Sequence, residues 1–237
     1  MNNNYDYILI ILNCKKYRAK ANIQKESWLK YIPSNIKYYH IIGDKEKCNK
    51  NDILIDDTNS IIYTNTLDDY NSLPSKVITA LNGIYSTFNF KHIFKTDDDQ
   101  DLISKTFFTD MIKVLESSNY HYGGFCVTVK DHISKYYTVH DCLPRNLLLK
   151  ATTYANGRFY LLSKLAVSDL IYKKKDIEKH IIEDHAIGLY LDNKYKEPKS
   201  LLHFNNNLYF KDMPTVNKSR PLGEMLINEN NNLKIKK

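Results

Sequence analysis

An α/β protein built on a largely parallel sheet is predicted by three features of the sequence. Short apolar runs alternate with helical periodicity over the first half, in a βαβαβ order. The first run, Tyr7 to Leu12, is apolar throughout, which marks a buried strand rather than a surface one. A hydrophobic content of 43% beside 26% charged residues is enough to build a core for a chain of 237 residues.

The elements follow in order. Residues 5–13 are predicted as the first strand, and 18–32 as a helix with Ala19, Ile23, Trp28 and Leu29 apolar and Pro33 as its stop. Trp28 belongs to the core on this reading. A strand over 38–42 closes at Gly43-Asp44, and Ile53-Leu54-Ile55 forms another. Asp56–Asn59 and Asp68-Asp69-Tyr70 fall in polar loops. A helix over 76–88 sets Val77, Ala80, Leu81, Ile84 and Phe88 on one face. Lys91 to Phe94 is a strand, followed by a helix from about 102 to 115. Tyr122 opens a further strand, 130–147 is predicted as a mobile connection, and Tyr154 to Tyr160 as a turn into a short strand. Helices over 163–172 and from Glu183 complete the helical set, with Lys173–Asp176 as a solvated charge run. Beyond Pro198 come a strand at 201–203 and a hairpin partner at 208–210. The Asn- and Lys-rich end, 228–237, is expected to fray.

Composition narrows the function. The net charge is +7, yet Arg occurs only at 18, 145, 158 and 220, and the lysines are scattered. Phosphate and base recognition favours the planar arginine fork, so no nucleic-acid partner is expected; a basic face receiving an anionic donor or glycan fits better. No apolar run approaches the roughly 20 residues of a membrane helix, and the apolar start is preceded by Asn and Asp rather than Lys or Arg. The expectation is a soluble protein without signal peptide or membrane anchor, in a cytoplasmic or virus-factory setting. Cys14, Cys48, Cys126 and Cys142 show no zinc spacing and are expected as small buried residues in a reducing compartment.

The chemistry centres on Asp97-Asp98-Asp99, at the carboxyl end of a strand, where ligands collect in open parallel sheets. Three adjacent carboxylates form either a solvated turn or helix cap, or a site for a hard divalent cation. Strand alternation sends Asp97 and Asp99 to one side and Asp98 to the other.

Four blocks, in order, resemble the glycosyltransferases of the β-1,3-galactosyltransferase and fringe type. Arg18-Ala19-Lys20 with Glu26-Ser27-Trp28 is similar to that family's basic segment and Glu-Thr-Trp. Lys95-Thr96-Asp97-Asp98-Asp99 resembles its Lys-Val-Asp-Asp-Asp, the DxD element. Asn156–Ser163 resembles its Gly-Gly-Gly-Tyr-Val-Leu-Ser, although Asn156 and Arg158 replace glycines. Glu183-Asp184-His185-Ala186-Ile187-Gly188 resembles its Glu-Asp-Val-X-X-Gly. Together with the first strand and His203 these span residues 8–204.

The resemblance implies a GT-A fold: a Rossmann-like nucleotide-sugar-binding unit with a mostly parallel sheet and a small C-terminal hairpin region. It places a catalytic domain at 1–215, with a donor-binding half at about 5–117 and an acceptor half at about 118–215, and a partly disordered tail at 216–237. It implies a metal-dependent inverting hexosyltransferase moving a hexose or N-acetylhexosamine from a UDP-sugar to a glycan or glycoprotein acceptor, with a β linkage. Asp99 and His203 would hold Mn²⁺ or Mg²⁺. Asp97 and Asp98 would contact the donor, with Arg18 and Lys76 on its phosphates or nucleotide. Asp184 would be the general base, and Glu183 and Arg158 would meet the acceptor. The alternatives are a metal-dependent nucleotidyl- or phosphotransferase and a catalytically inactive sugar-binding domain. The oligomeric state is left open.

Overall fold

The computed structural model describes residues 3–213; the tail expected at 216–237 lies outside the described residues. A central sheet of eight strands runs through the molecule. In chain order these are β1 (Tyr7–Leu12), β2 (Ile36–Gly43), β3 (Ile53–Asp56), β4 (Ile61–Thr64), β5 (His92–Asp97), β6 (Tyr122–Val129), β7 (Thr152–Ser163) and β8 (Leu201–His203). Their spatial order is β8-β6-β7-β5-β1-β2-β4-β3. Strands β5, β1, β2 and β4 pair in parallel. Strand β7 is antiparallel to both neighbours, and β3 closes the far edge antiparallel to β4. The predicted mixed α/β class, with its mostly parallel sheet, is the one observed.

Five helices cover the sheet: α1 (Arg18–Glu26), α2 (Leu73–Thr87), α3 (Phe107–Glu116), α4 (Lys164–Tyr172) and α5 (Glu183–Tyr190). The period-2 alternation of a strand divides the core. Ile8, Ile10 and Leu12 join Val77, Leu81 and Ile84 of α2, Val167 and Leu170 of α4 and Ile187 of α5 on one face. Tyr7, Leu9 and Ile11 join Trp28, Phe94, Phe108 and Phe159 on the other. That double coverage explains the apolar first run: every residue of β1 is buried. None of the helices among the described residues is long and apolar enough to cross a membrane.

The structure departs from the sequence expectations in several places. The 18–32 helix ends at Glu26 and continues as a 3₁₀ turn at Leu29–Tyr31. The C-terminal hairpin does not form: β8 pairs with β6 in parallel, while Phe210–Asp212 crosses back to pair antiparallel with Gln100–Leu102. This pairing also removes the first turn expected of the 102–115 helix, which begins at Phe107. Residues 152–163 form one long strand instead of a turn and short strand, with a bulge between Ala155 and Tyr160 where its register against β6 shifts. The 130–147 segment is not a bare connection. It carries a short helix at Tyr136–Thr138 and packs Leu143 with Leu149 and Ile182. Of the four cysteines only Cys48 is buried; Cys14 and Cys126 are half-buried and Cys142 exposed.

Candidate active site

The carboxyl ends of β1 and β5 open into a cleft of about 700 Å³. Its walls include Asn13, Lys20, Lys76, Asp97–Asp99, Gly157, Arg158, Glu183 and Asp184. Tyr70 and His140, stacked 4.3 Å apart between ring centres, also face it.

The three aspartates of the turn have different partners. Asp97 Oδ1 pairs with Lys95 Nζ at 2.8 Å. Asp98 Oδ1 accepts from Lys20 Nζ at 3.2 Å. Asp99 Oδ1 accepts from the Gln100 amide at 2.8 Å, and among the described residues no lysine or arginine pairs with it. Burial raises the pKa of all three; for Asp98 it reaches about 7, with Lys20 pulling the other way.

Lys95, two residues before Asp97 on β5, also lines the cleft and is only 1% exposed. Its ammonium reaches Asp97, Glu183 Oε2 at 3.1 Å and the Gly157 carbonyl at 2.7 Å. Burial alone would discharge this lysine, but Asp97 and Glu183 hold its pKa above the ordinary value. Glu183 Oε1 accepts from the Tyr160 hydroxyl at 2.5 Å. Asp184 opens α5 beside it, and its Oδ2 accepts from Gly157 N–H at 2.8 Å. Burial raises the Asp184 carboxyl too, against the pull of Lys95.

Gly157 supplies both its N–H and its carbonyl to this cluster because the β7 bulge frees them from the ladder. A Cβ built on it would lie 3.4 Å from Lys95 Nζ, 3.5 Å from Asp184 Oδ2 and 3.6 Å from Asp97 Oδ2. The two carboxylate oxygens are therefore within about 7 Å of each other, with an ammonium beside both.

Of the residues singled out in the sequence, the structure brings Lys76, Asp97, Asp98, Asp99, Arg158, Glu183 and Asp184 to one cleft. Two are not there. Arg18 is exposed on α1 and does not line the cleft. His203 is exposed on the edge strand β8, three strands removed from β5, where its Nδ1 accepts from Cys126 N–H at 3.2 Å and its ring rests on Phe125. The parallel pairing of β8 with β6, in place of a hairpin, carries His203 away from the triplet. Lys76 is present but occupied: its ammonium bonds Asp68 at 2.6 Å and the Asn13 carbonyl at 3.0 Å. Arg158 likewise pairs with Asp212 at 2.8 Å.

Sequence reasoning missed Lys20, Asn13, Gly157 and Asp212. Asp212 is brought in by the C-terminal pairing, and the Gln100 amide donates to it at 3.0 Å while also donating to Asp99. Nothing local to Asp212 announces this. Asn13 carries a buried Oδ1 on the cleft wall that has no partner among the described residues.

The acidic turn at the carboxyl edge of the mostly parallel sheet and the Glu183-Asp184 pair thus line one cleft and meet around Lys95 and Gly157. The chain matches the family model described as Galactosyltransferase over residues 19–199 and belongs to that family; it is a glycosyltransferase. No protein with a curated description matches it. Among solved structures, it is similar to the galactosyltransferase LgtC in complex with donor and acceptor sugar analogs, at 10% identity over 84% of this chain and 73% of that one, TM-score 0.42. GlyE of Streptococcus pneumoniae TIGR4 aligns at 10% identity over 87% of this chain and 46% of its own, TM-score 0.45. Mouse xyloside xylosyltransferase 1 aligns at 10% identity, covering 86% and 85%, TM-score 0.39.

Proposed function

We propose that this glycosyltransferase is metal-dependent and inverting, and moves a hexose or N-acetylhexosamine from a UDP-sugar to a hydroxyl of a glycan or glycoprotein, forming a β linkage. The observation that carries the reading is the meeting of Asp97 and Asp184 over Gly157. A carboxylate suited to the donor and a carboxylate suited to a base thus converge beside one ammonium, that of Lys95.

Asp99 is the residue suited to a divalent cation: among the described residues its carboxylate has one amide partner and no ion pair, so a carboxylate oxygen remains for the metal. Among the described residues no set of three or more His, Cys, Asp or Glu encloses a cation site. A single carboxylate completed by diphosphate oxygens and water is how Mn²⁺ or Mg²⁺ is commonly held. The ion would supply positive charge to the departing diphosphate.

Asp97, fixed by Lys95, faces the nucleoside or sugar of the donor. Asn13 Oδ1 offers an acceptor that a nucleobase imide N–H or a ribose hydroxyl fits. Asp184, fixed by Gly157 N–H, takes the proton of the acceptor hydroxyl as that oxygen bonds the anomeric carbon. The bond to the diphosphate breaks on the opposite side, and the diphosphate leaves with the electron pair. Glu183, bonded to Lys95 and Tyr160, holds this arrangement from below rather than reaching the acceptor.

The test is a thermal-shift and transfer assay with a panel of UDP-sugars and Mn²⁺. Mn²⁺ with UDP is expected to raise the melting temperature, and Asp99→Ala to abolish the rise. Asp184→Asn should keep the rise and lose transfer by a factor of 10² or more, on the scale of a removed general base (about 10²–10⁴). Transfer that survives Asp184→Asn would give the base role to another group. No response to any UDP-sugar with any divalent ion would overturn the reading.

A further inference from the structure

The acidic turn is held from behind by one stripe of α1 and the residue that follows it. Lys20, Gln24 and Trp28 are spaced four apart, and all three reach the turn. Gln24 is fully buried and unites the two ends of the turn. Its Nε2 donates to the Asp97 carbonyl at 3.1 Å and to the Gln100 carbonyl at 3.0 Å. Trp28 Nε1 donates to the same Gln100 carbonyl at 3.1 Å. Two further backbone bonds complete the fastening, Asp98 N–H to the Leu12 carbonyl at 3.0 Å and Met213 N–H to the Asp99 carbonyl at 2.7 Å.

The orientation of the Gln24 amide is forced. Rotated by half a turn, its oxygen would face two carbonyl oxygens. His40, fully buried on β2, meets Gln24 Oε1 through Nε2 at 3.0 Å. Because Gln24 presents an acceptor there, His40 Nε2 must carry the proton, and burial keeps the ring neutral with a pKa near about 3. None of these backbone fastenings uses a carboxylate of the triplet. Only Lys20 meets one, at Asp98.

We propose that Gln24 is a positioning residue, whose carboxamide sets the spacing of the Asp97 and Gln100 carbonyls and so aims Asp99 into the cleft with its carboxylate unspent. This rests on the reading of the turn as a metal–diphosphate site. Gln24→Met keeps the length and removes both donors, and the probe is UDP titrated with and without Mn²⁺. The expected result is a loss of about tenfold in Mn²⁺-supported UDP affinity, the effect of one to two net hydrogen bonds, with UDP affinity in EDTA unchanged. A mere packing role would weaken both titrations alike, and that result overturns the proposal. Equal affinity of Gln24→Met and the unsubstituted chain overturns it too, while leaving the metal–donor reading intact. If the unsubstituted chain gains no UDP affinity from Mn²⁺, that reading falls and the proposal with it. Should Gln24→Met fail to fold, Trp28→Phe removes only the second donor to Gln100. It should show the same selective loss at smaller size, and no loss there overturns the proposal.

Discussion

Lys95 has all three ammonium hydrogens committed, to Asp97, Glu183 and the Gly157 carbonyl. Removing it would leave the buried Glu183 carboxylate, and the half-buried Asp97 beside it, without a counter-charge. Lys95→Met is therefore expected to cost about 3–5 kcal/mol in urea unfolding, the range for breaking a buried ion pair from one side. Gly157 makes the opposite case. Its Cβ position contacts neighbours only at 3.4 Å and beyond, so Gly157→Ala should unfold within about 1 kcal/mol of the unsubstituted chain. Yet the added methyl enters the point where Asp97, Asp184 and Lys95 converge, and sugar transfer should fall about tenfold or more. Activity retained in full would remove Gly157 from the reaction path. The base role proposed for Asp184 also sets a pH limit. Asp184 must be ionised to accept a proton, and burial holds its pKa above the usual carboxylate value. Transfer should accordingly fail with acidification at a higher pH than an exposed aspartate would give, and Asp184→Glu should shift that limit.

At the scale of elements, α5 is the piece whose placement decides the site. Gly188, about one turn after Asp184, lies against β7: a Cβ there would collide with Tyr154, reaching its Cα at 2.7 Å and the Thr153 carbonyl at 2.8 Å. Gly188→Ala should push the helix from the strand and destabilise the fold by about 1–3 kcal/mol, as overpacking does, measured by thermal and urea unfolding. The element pattern was legible in the sequence where burial and periodicity agree: β1, α2 and the strand into the triplet follow from their apolar spacing. The site was half legible. Asp97–Asp99 and Glu183-Asp184 are contiguous in sequence and were recognisable as blocks. Lys20 and Gln24 share a helical stripe with Trp28, a signal present in the spacing but obscured by reading that face for apolar residues alone. Asp212 and His203 were not legible, because their positions depend on which strand the last segments join. That choice is made by long-range pairing, which local composition does not encode.

For the whole molecule, His40 links stability to pH. Its ring is neutral in the folded state down to about pH 3, whereas in the unfolded chain it takes a proton near its ordinary value of about 6.5. The folded state thus binds fewer protons between those values, and its stability falls as pH drops through that window, by about 1.4 kcal/mol per unit for this one group. His40→Asn retains a donor toward Gln24 and has no titration. From pH 7 to pH 5 it should lose about 2 kcal/mol less than the unsubstituted chain in urea unfolding. Equal losses would show that His40 protonates without opening the core.

The pairing of Phe210–Asp212 with Gln100–Leu102 joins residues 112 positions apart, through Gln100 and Asp212. A chain emerging from the ribosome can form β1, β2 and β5 early, but the acidic turn waits for its last fastening until the C-terminal segment is free. Assembly of this edge then waits for synthesis of the Phe210–Asp212 strand, and contacts so distant in sequence close slowly. Nascent chains halted before Phe210 should protect the sheet from proteolysis while leaving the Asp97–Gln100 turn open to it.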